Sequence, residues 1–200
     1  MSIPDRPELG GPKASNALLT IPNVLSIGRA ALGPIVMALI AHRAPWSLLV
    51  ALALMITAEF SDFMDGLLAR RLNQESQIGR LIDPICDSIY HLSVFLAFLY
   101  NKWMPAWMLF VIYSRDLAVP YIRAFAKQAG HDIWVRESGR IKTAVHAAAQ
   151  IGVVVVALGV LGDVTAYGTE ITTALLLAAT AASVYSLLDY GWAVARLLRR

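Results

Sequence analysis

Charge is what this sequence has least of. Only 16% of its 200 residues are Asp, Glu, Lys or Arg, and 58% are hydrophobic. An ordinary soluble domain carries about 25% charged residues. So few charges cannot cover a water-facing surface, and a soluble single-domain protein is excluded. Cysteine is nearly absent too. The single Cys86 rules out an internal disulfide and leaves redox compartment unread. No repeat of fixed period and no low-complexity tract occurs. The opening residues, MSIPDRPELGGPKASNALLT, are polar and rich in Pro and Gly. They lack the apolar core and cleavage site of a signal peptide and read as a cytosolic lead-in, residues 1–20.

What is present is length in apolar runs. A membrane span needs roughly 20 mostly apolar residues. Six stretches meet this: Ile21–Ala41, Trp46–Leu68, Leu81–Leu99, Met104–Ala126, Ile141–Leu161 and Ile171–Leu198. The fold expected is all-α, an integral membrane six-transmembrane-helix bundle over residues 21–200. Short connections place neighbouring helices antiparallel. The net charge of +3 is not gathered on one stripe, so no nucleic-acid partner is expected. The basic residues lie instead at helix ends. With the N-terminus inside, Arg6, Lys13, Arg70, Arg71, Arg80, Lys127, Arg136, Arg140, Lys142, Arg196, Arg199 and Arg200 fall on the cytosolic side. Only Arg43 and Lys102 fall outside. Lys and Arg concentrate on the cytosolic side of membrane proteins. Both termini are therefore expected in the cytosol, in a membrane that encloses it, with a bacterial inner (plasma) membrane the favoured location. Trp46, Trp103 and Trp107 read as anchors at the outer boundary.

Several charges interrupt the spans, and they are not scattered. The junction of the second and third helices reads SDFMDGLLARRLNQESQIGRLIDPICDSIY. Asp62, Asp65, Gly66 and Ala69 share one helical face, as do Gly79, Asp83 and Asp87 on the next helix. Antiparallel packing lets the two acidic faces meet just inside the membrane. Four carboxylates there repel one another and are costly in hydrocarbon, and such residues are functional by default. Divalent cations between them relieve both penalties, and oxygen-only ligands suit Mg²⁺, Mn²⁺ or Ca²⁺ rather than zinc. Two metals so bridged favour displacement at phosphorus. Gly66, Ala69 and Gly79 serve close helix packing, close approach of a ligand, or both.

This stretch resembles the signature of the CDP-alcohol phosphotransferases, D-x2-D-G-x2-A-R-x8-G-x3-D-x3-D, at all eight fixed positions from Asp62 to Asp87. The likeness extends to the six-helix plan, hence to nearly the whole chain. It implies that Asp62, Asp65, Asp83 and Asp87 hold two divalent ions, Mg²⁺ or Mn²⁺, and that Asp87 is the general base. It further implies that Gly66, Ala69, Arg70 and Gly79 surround a CDP group, with Arg70 near its phosphates, and that the enzyme is a homodimer. The stretch Ile21–Arg29 is similar to the family's Pro-Asn-x2-Ser/Thr-x2-Arg opening. Asn23, Ser26 and Arg29 then face the nucleotide or the metal-site carboxylates; a structural Arg–Asp pair is the alternative.

Arg115, Arg123, Arg140 and Lys142 fall in the cytosolic parts of helices 4 and 5. Guanidinium groups bind phosphate in bidentate fashion, so this cluster suits a phosphate on the acceptor alcohol. Plainer roles are topology for Arg140 and Lys142, snorkelling for Arg123, and pairing of Arg115 with Asp116 or Glu59. Gly139-Arg140-Ile141-Lys142-Thr143 resembles the Gly-Lys-x-Lys-Thr stretch of phosphatidylglycerophosphate synthases, with Arg140 replacing the first Lys. Arg115, Asp116 and Arg123 are similar to that branch as well. The substrates implied are CDP-diacylglycerol and glycerol 3-phosphate, with inositol phosphate or another small alcohol as rival acceptors. A divalent-cation transporter is the rival of another class, since intramembrane carboxylates also line ion paths. His42 reads as a loop residue, His91 and His146 as hydrogen-bonded packing residues, Cys86 as a space-filler and Asp189 as a paired carboxylate. The role of Glu59 is open.

Overall fold

The computed structural model describes residues 21–72, 79–128, 137–159 and 168–197, with side chains described for 23–61, 82–128, 137–159 and 168–196. The N-terminal lead-in and His131 lie outside these residues. All regular structure among them is helical: α1 (Ile21–His42), α2 (Pro45–Leu72), α3 (Gly79–Tyr100), α4 (Ala106–Gln128), α5 (Glu137–Ala157) and α6 (Gly168–Leu197). Each helix overlaps one expected span. Four of them, α1, α3, α5 and α6, are long and apolar enough to cross a membrane. In α2 the apolar part runs over Pro45–Ser61, while α4 is broken by Arg115, Asp116 and Arg123.

The helix ends are set by backbone chemistry. The α1 helix runs one residue past the expected apolar stretch, so His42 closes the helix rather than sitting in a loop. Arg43 then takes a left-handed φ of 58°, and its N–H donates to Ile40 O at 3.2 Å. The α3 helix ends similarly. Lys102 has φ 60°, its N–H donates to Leu99 O at 3.0 Å, and the N–H of Trp103 donates to Phe98 O at 2.9 Å. These are the two bonds of a Schellman cap, made here without glycine. At α5 the same conformation falls to Gly159, φ 65°. Pro45 opens α2, where a missing N–H costs nothing.

The turns after α1 and α3 are tied together. Arg43 Nε donates to Asn101 Oδ1 at 2.8 Å and its Nη2 to the Asn101 carbonyl; Asn101 Nδ2 donates to Ile40 O at 2.9 Å. Arg43 also lies over the Trp103 ring, 5.7 Å from its centroid. The two basic residues expected on the outer side thus belong to adjoining turns.

The α1 helix packs on α2 and α3, α6 on α4 and α5, and α2 on α5. The core between them is Val36, Ile40, Met55, Val94, Phe95 and Phe98, with Val153 and Leu176 from the other side. The α1–α3 seam is tight at Gly33, where a Cβ would stand 2.9 Å from Ser93 Oγ and 3.1 Å from Tyr90 Cα. Large apolar side chains also face outward: Phe60, Phe110, Phe125, Leu188 and Trp192 are each more than half exposed.

Candidate functional site

Asp83 and Asp87 stand one turn apart on α3, so both carboxylates share one face. Asp83 is followed by Pro84, which supplies no N–H to this first stretch of the helix. Both acids keep access to solvent, Asp83 at 56% and Asp87 at 25% side-chain exposure. Facing them is the opening of α1, where Asn23, Ser26 and Arg29 repeat at three-residue spacing and are all buried. Ser26 Oγ donates to Asp83 Oδ1 at 2.8 Å. Arg29 spans the pair, with Nη2 3.4 Å from Asp83 Oδ1 and Nη1 3.5 Å from Asp87 Oδ1. The costly intramembrane arginine is thus matched by two carboxylates. Ser26 and Arg29 thus contact the α3 carboxylates, an arrangement common to a nucleotide site and to a structural Arg–Asp pair.

Asp87 has a further neighbour. His91, one turn on, brings Nε2 to 3.3 Å from Asp87 Oδ1. Its Nδ1 lies 2.8 Å from Gln150 Oε1, and Gln150 Nε2 donates to the His91 carbonyl at 3.0 Å. A carbonyl only accepts, so this second bond orients the Gln150 amide and leaves Nδ1 as the hydrogen-bearing ring atom.

Asp62, Asp65, Gly66, Ala69 and Arg70 lie within α2 and Gly79 opens α3. Their side-chain positions lie outside the described residues. The described half of the acidic set is therefore the α3 half, where Arg29 and His91 stand beside the two carboxylates, and among the described residues no three His, Cys, Asp or Glu side chains gather to hold a metal ion. Carboxylate oxygens are the ligand type that suits a hard divalent cation.

A second polar group joins α4, α5 and α6. Lys142 Nζ lies 2.9 and 3.1 Å from the two Asp116 oxygens. Arg115 Nη1 lies 3.0 Å from Asp116 Oδ1, while its Nε and Nη2 donate to Ser186 Oγ at 3.2 and 2.8 Å. Lys142 is buried and Arg115 nearly so. Ser138 donates to Asp189 Oδ2 at 2.6 Å on the same side. Asp189 is thus a paired carboxylate. Gly139 leaves room for Tyr190 and Arg115, which a Cβ would meet at 3.4 and 3.6 Å.

Of the four expected phosphate-binding cations, Arg115 and Lys142 converge on one carboxylate. Arg140 turns instead to Glu137 at 2.8 Å on the exposed surface, and Arg123 is half-buried farther along α4. Cys86 is buried. His146 is buried as well, with Nε2 2.8 Å from Ser183 Oγ. Gln150, Ser183 and Ser186 carry no motif. The only trace they leave in sequence is a polar residue inside an apolar run.

Comparison with known proteins names the class. The CDP-alcohol phosphatidyltransferase family matches residues 19–195, and the chain belongs to that family. It is 33% identical over 133 residues to the cardiolipin synthase (CMP-forming) of Streptomyces coelicolor, covering 61% of this chain and 62% of that protein. It is 29% identical over 138 residues to the CDP-diacylglycerol–glycerol-3-phosphate 3-phosphatidyltransferase of Bacillus subtilis, covering 63% and 72%. The protein of the same name in Cereibacter sphaeroides is 38% identical over 111 residues, covering 53% and 50%. The chain spans about half to three fifths of the length of the first curated relatives it matches.

Proposed function

We propose that this chain transfers the phosphatidyl group of CDP-diacylglycerol to the hydroxyl of glycerol 3-phosphate, forming phosphatidylglycerophosphate and releasing CMP. The observation that carries the reading is the Asp83–Asp87 face of α3, matched by Ser26 and Arg29 of α1 and continuous in sequence with Asp62 and Asp65. Asp62, Asp65, Asp83 and Asp87 would hold two Mg²⁺ or Mn²⁺ ions, which supply charge neutralisation at the diphosphate and at the attacking oxygen when bound. Asn23, Ser26, Arg29, Asp62, Gly66, Ala69, Arg70 and Gly79 would line the CDP group, with Arg70 on its phosphates. Asp87 takes the proton of the acceptor hydroxyl. The freed oxygen attacks the lipid-side phosphorus, the bond to the CMP oxygen breaks, and CMP leaves.

Arg115 and Lys142, which converge at Asp116, are assigned to the acceptor phosphate; Arg123 and Arg140 stand apart from them. Two buried cations gathered at one carboxylate suit recognition of an anionic headgroup. In this reading residues 21–200 form one six-span membrane domain, 1–20 a cytosolic segment, and the site opens at the cytosolic face of the bacterial inner membrane. The lipid substrate keeps its tails in the bilayer, and the functional unit is a homodimer.

A second reading changes only the acceptor. Cardiolipin synthases stand among the similar proteins, and the acceptor for that product is a phosphatidylglycerol already in the membrane. The experiment is CMP release from labelled CDP-diacylglycerol by purified protein, offered glycerol 3-phosphate, phosphatidylglycerol or inositol phosphate in separate reactions. Turnover with glycerol 3-phosphate alone is the expected result, and Asp87→Asn lowers it at least ~100-fold. Product from phosphatidylglycerol alone installs the second reading. Metal flux through liposomes without any CMP release replaces both with a cation transporter.

A further inference from the structure

Gln150 lies inside the charge-free part of α5, and its side chain is fully buried. Both ends of its amide go to one residue: the nitrogen to the His91 carbonyl at 3.0 Å, the oxygen to His91 Nδ1 at 2.8 Å. The bond to the main-chain carbonyl orients the amide, and the bond to Nδ1 holds the ring. His91 is itself only 2% exposed, so water does not compete for either bond. Tyr90 and His146 enclose the ring edge-on, with centroids 5.3 and 6.2 Å away. Among the described residues, the remaining ring nitrogen, Nε2, meets Asp87 Oδ1 at 3.3 Å. Arg29 reaches the same oxygen at 3.5 Å from α1. A bond between α3 and α5 made for packing alone would not need a ring nitrogen aimed at a partly exposed carboxylate.

We propose that His91 and Gln150 are positioning residues for Asp87: Gln150 of α5 locks the His91 ring, and the ring holds the Asp87 carboxylate in the orientation that ligates a divalent cation. The inference deepens the reading of this site as the metal centre of the transferase and rests on it. Partners that orient a metal-binding side chain in this way typically change metal affinity by about 10- to 100-fold.

The test uses the full chain in lipid nanodiscs, with Mn²⁺ as probe. Free Mn²⁺ is read by electron paramagnetic resonance, and CMP release and thermal unfolding are measured beside it. Gln150→Met keeps roughly the side-chain volume and removes the bond to the ring nitrogen together with the bond to the His91 carbonyl. His91→Ala removes the ring, and His91→Gln places an amide near the Nε2 position. Val153→Ala, in the core one turn along α5, is the packing control. We expect Gln150→Met and His91→Ala to weaken Mn²⁺ binding about tenfold or more, with the KM for CDP-diacylglycerol within about twofold of the parent's. His91→Gln recovers most of the affinity, and Val153→Ala lowers the melting temperature without moving it. Parental Mn²⁺ affinity in Gln150→Met and His91→Ala overturns the proposal. So does a Val153→Ala protein that loses affinity equally, or a parent chain that binds no Mn²⁺. If His91→Ala fails to fold, Gln150→Met decides alone. The expected Mn²⁺ shifts in a chain that releases no CMP would sustain the positioning role and remove the transferase reading. An active parent with unshifted variants would do the reverse.

Discussion

At the scale of single residues, the most exacting arrangement is Asp116 between two cations. Its carboxylate meets Lys142 at 2.9 Å and Arg115 at 3.0 Å, and all three side chains are largely removed from solvent. Removing one member of a buried ionic group leaves the others uncompensated, which costs about 3–5 kcal/mol. Asp116→Asn should therefore lower the unfolding free energy by about that amount, read by thermal or denaturant unfolding in detergent. Arg140→Gln, which breaks only the exposed contact to Glu137, should change stability by less than about 1 kcal/mol. Sequence reasoning grouped Arg115 with Lys142, and the two meet at Asp116. It grouped Arg140 with them too, because a helix start places all nearby cations at the same height whatever direction they point. The partnership of His91 with Gln150 was not legible: the residues are 59 positions apart, and a histidine on an apolar helix reads as packing until its neighbours are known.

At the scale of elements, the α1–α3 seam brings the opening of one helix against the acids of the other. Gly33 sets the spacing of that seam. A methyl there meets Ser93 Oγ at 2.9 Å and the backbone of Tyr90 at 3.1 Å. The serine can turn away, but the backbone cannot. Gly33→Ala should cost about 1–3 kcal/mol in the same unfolding measurement, and adding Ser93→Ala should restore only part of it. A full rescue would show that the seam yields elsewhere. The six helices themselves were legible, because a run long enough to cross a bilayer is hard to hide and the interrupting charges are few. Helix ends were less so. His42 joined α1 because the left-handed turn falls at Arg43, and nothing in the residue type of an arginine announces positive φ.

At the scale of the whole molecule, orientation is the property most open to direct measurement. Lys102, in the turn after α3, and Glu137, at the start of α5, are both exposed and are expected on opposite sides. In a Cys86→Ala background, Lys102→Cys should react with an impermeant maleimide on intact cells. Glu137→Cys should react only after the membrane is opened. The opposite pattern would invert the topology and move the acidic site to the outer face. The positive-inside argument needs no coordinates, so sequence supplies an expected orientation, whereas the tie between the turns after α1 and α3, Arg43 to Asn101, becomes visible only in the folded chain.

The outward-facing Phe60, Phe110, Phe125, Leu188 and Trp192 carry a further consequence. Water is a poor solvent for such a surface, so folding and solvation cannot be separated for this chain. Any melting temperature measured for it belongs jointly to the polypeptide and to the amphiphile around it. Acyl length and headgroup are then variables of the experiment on the same footing as a mutation.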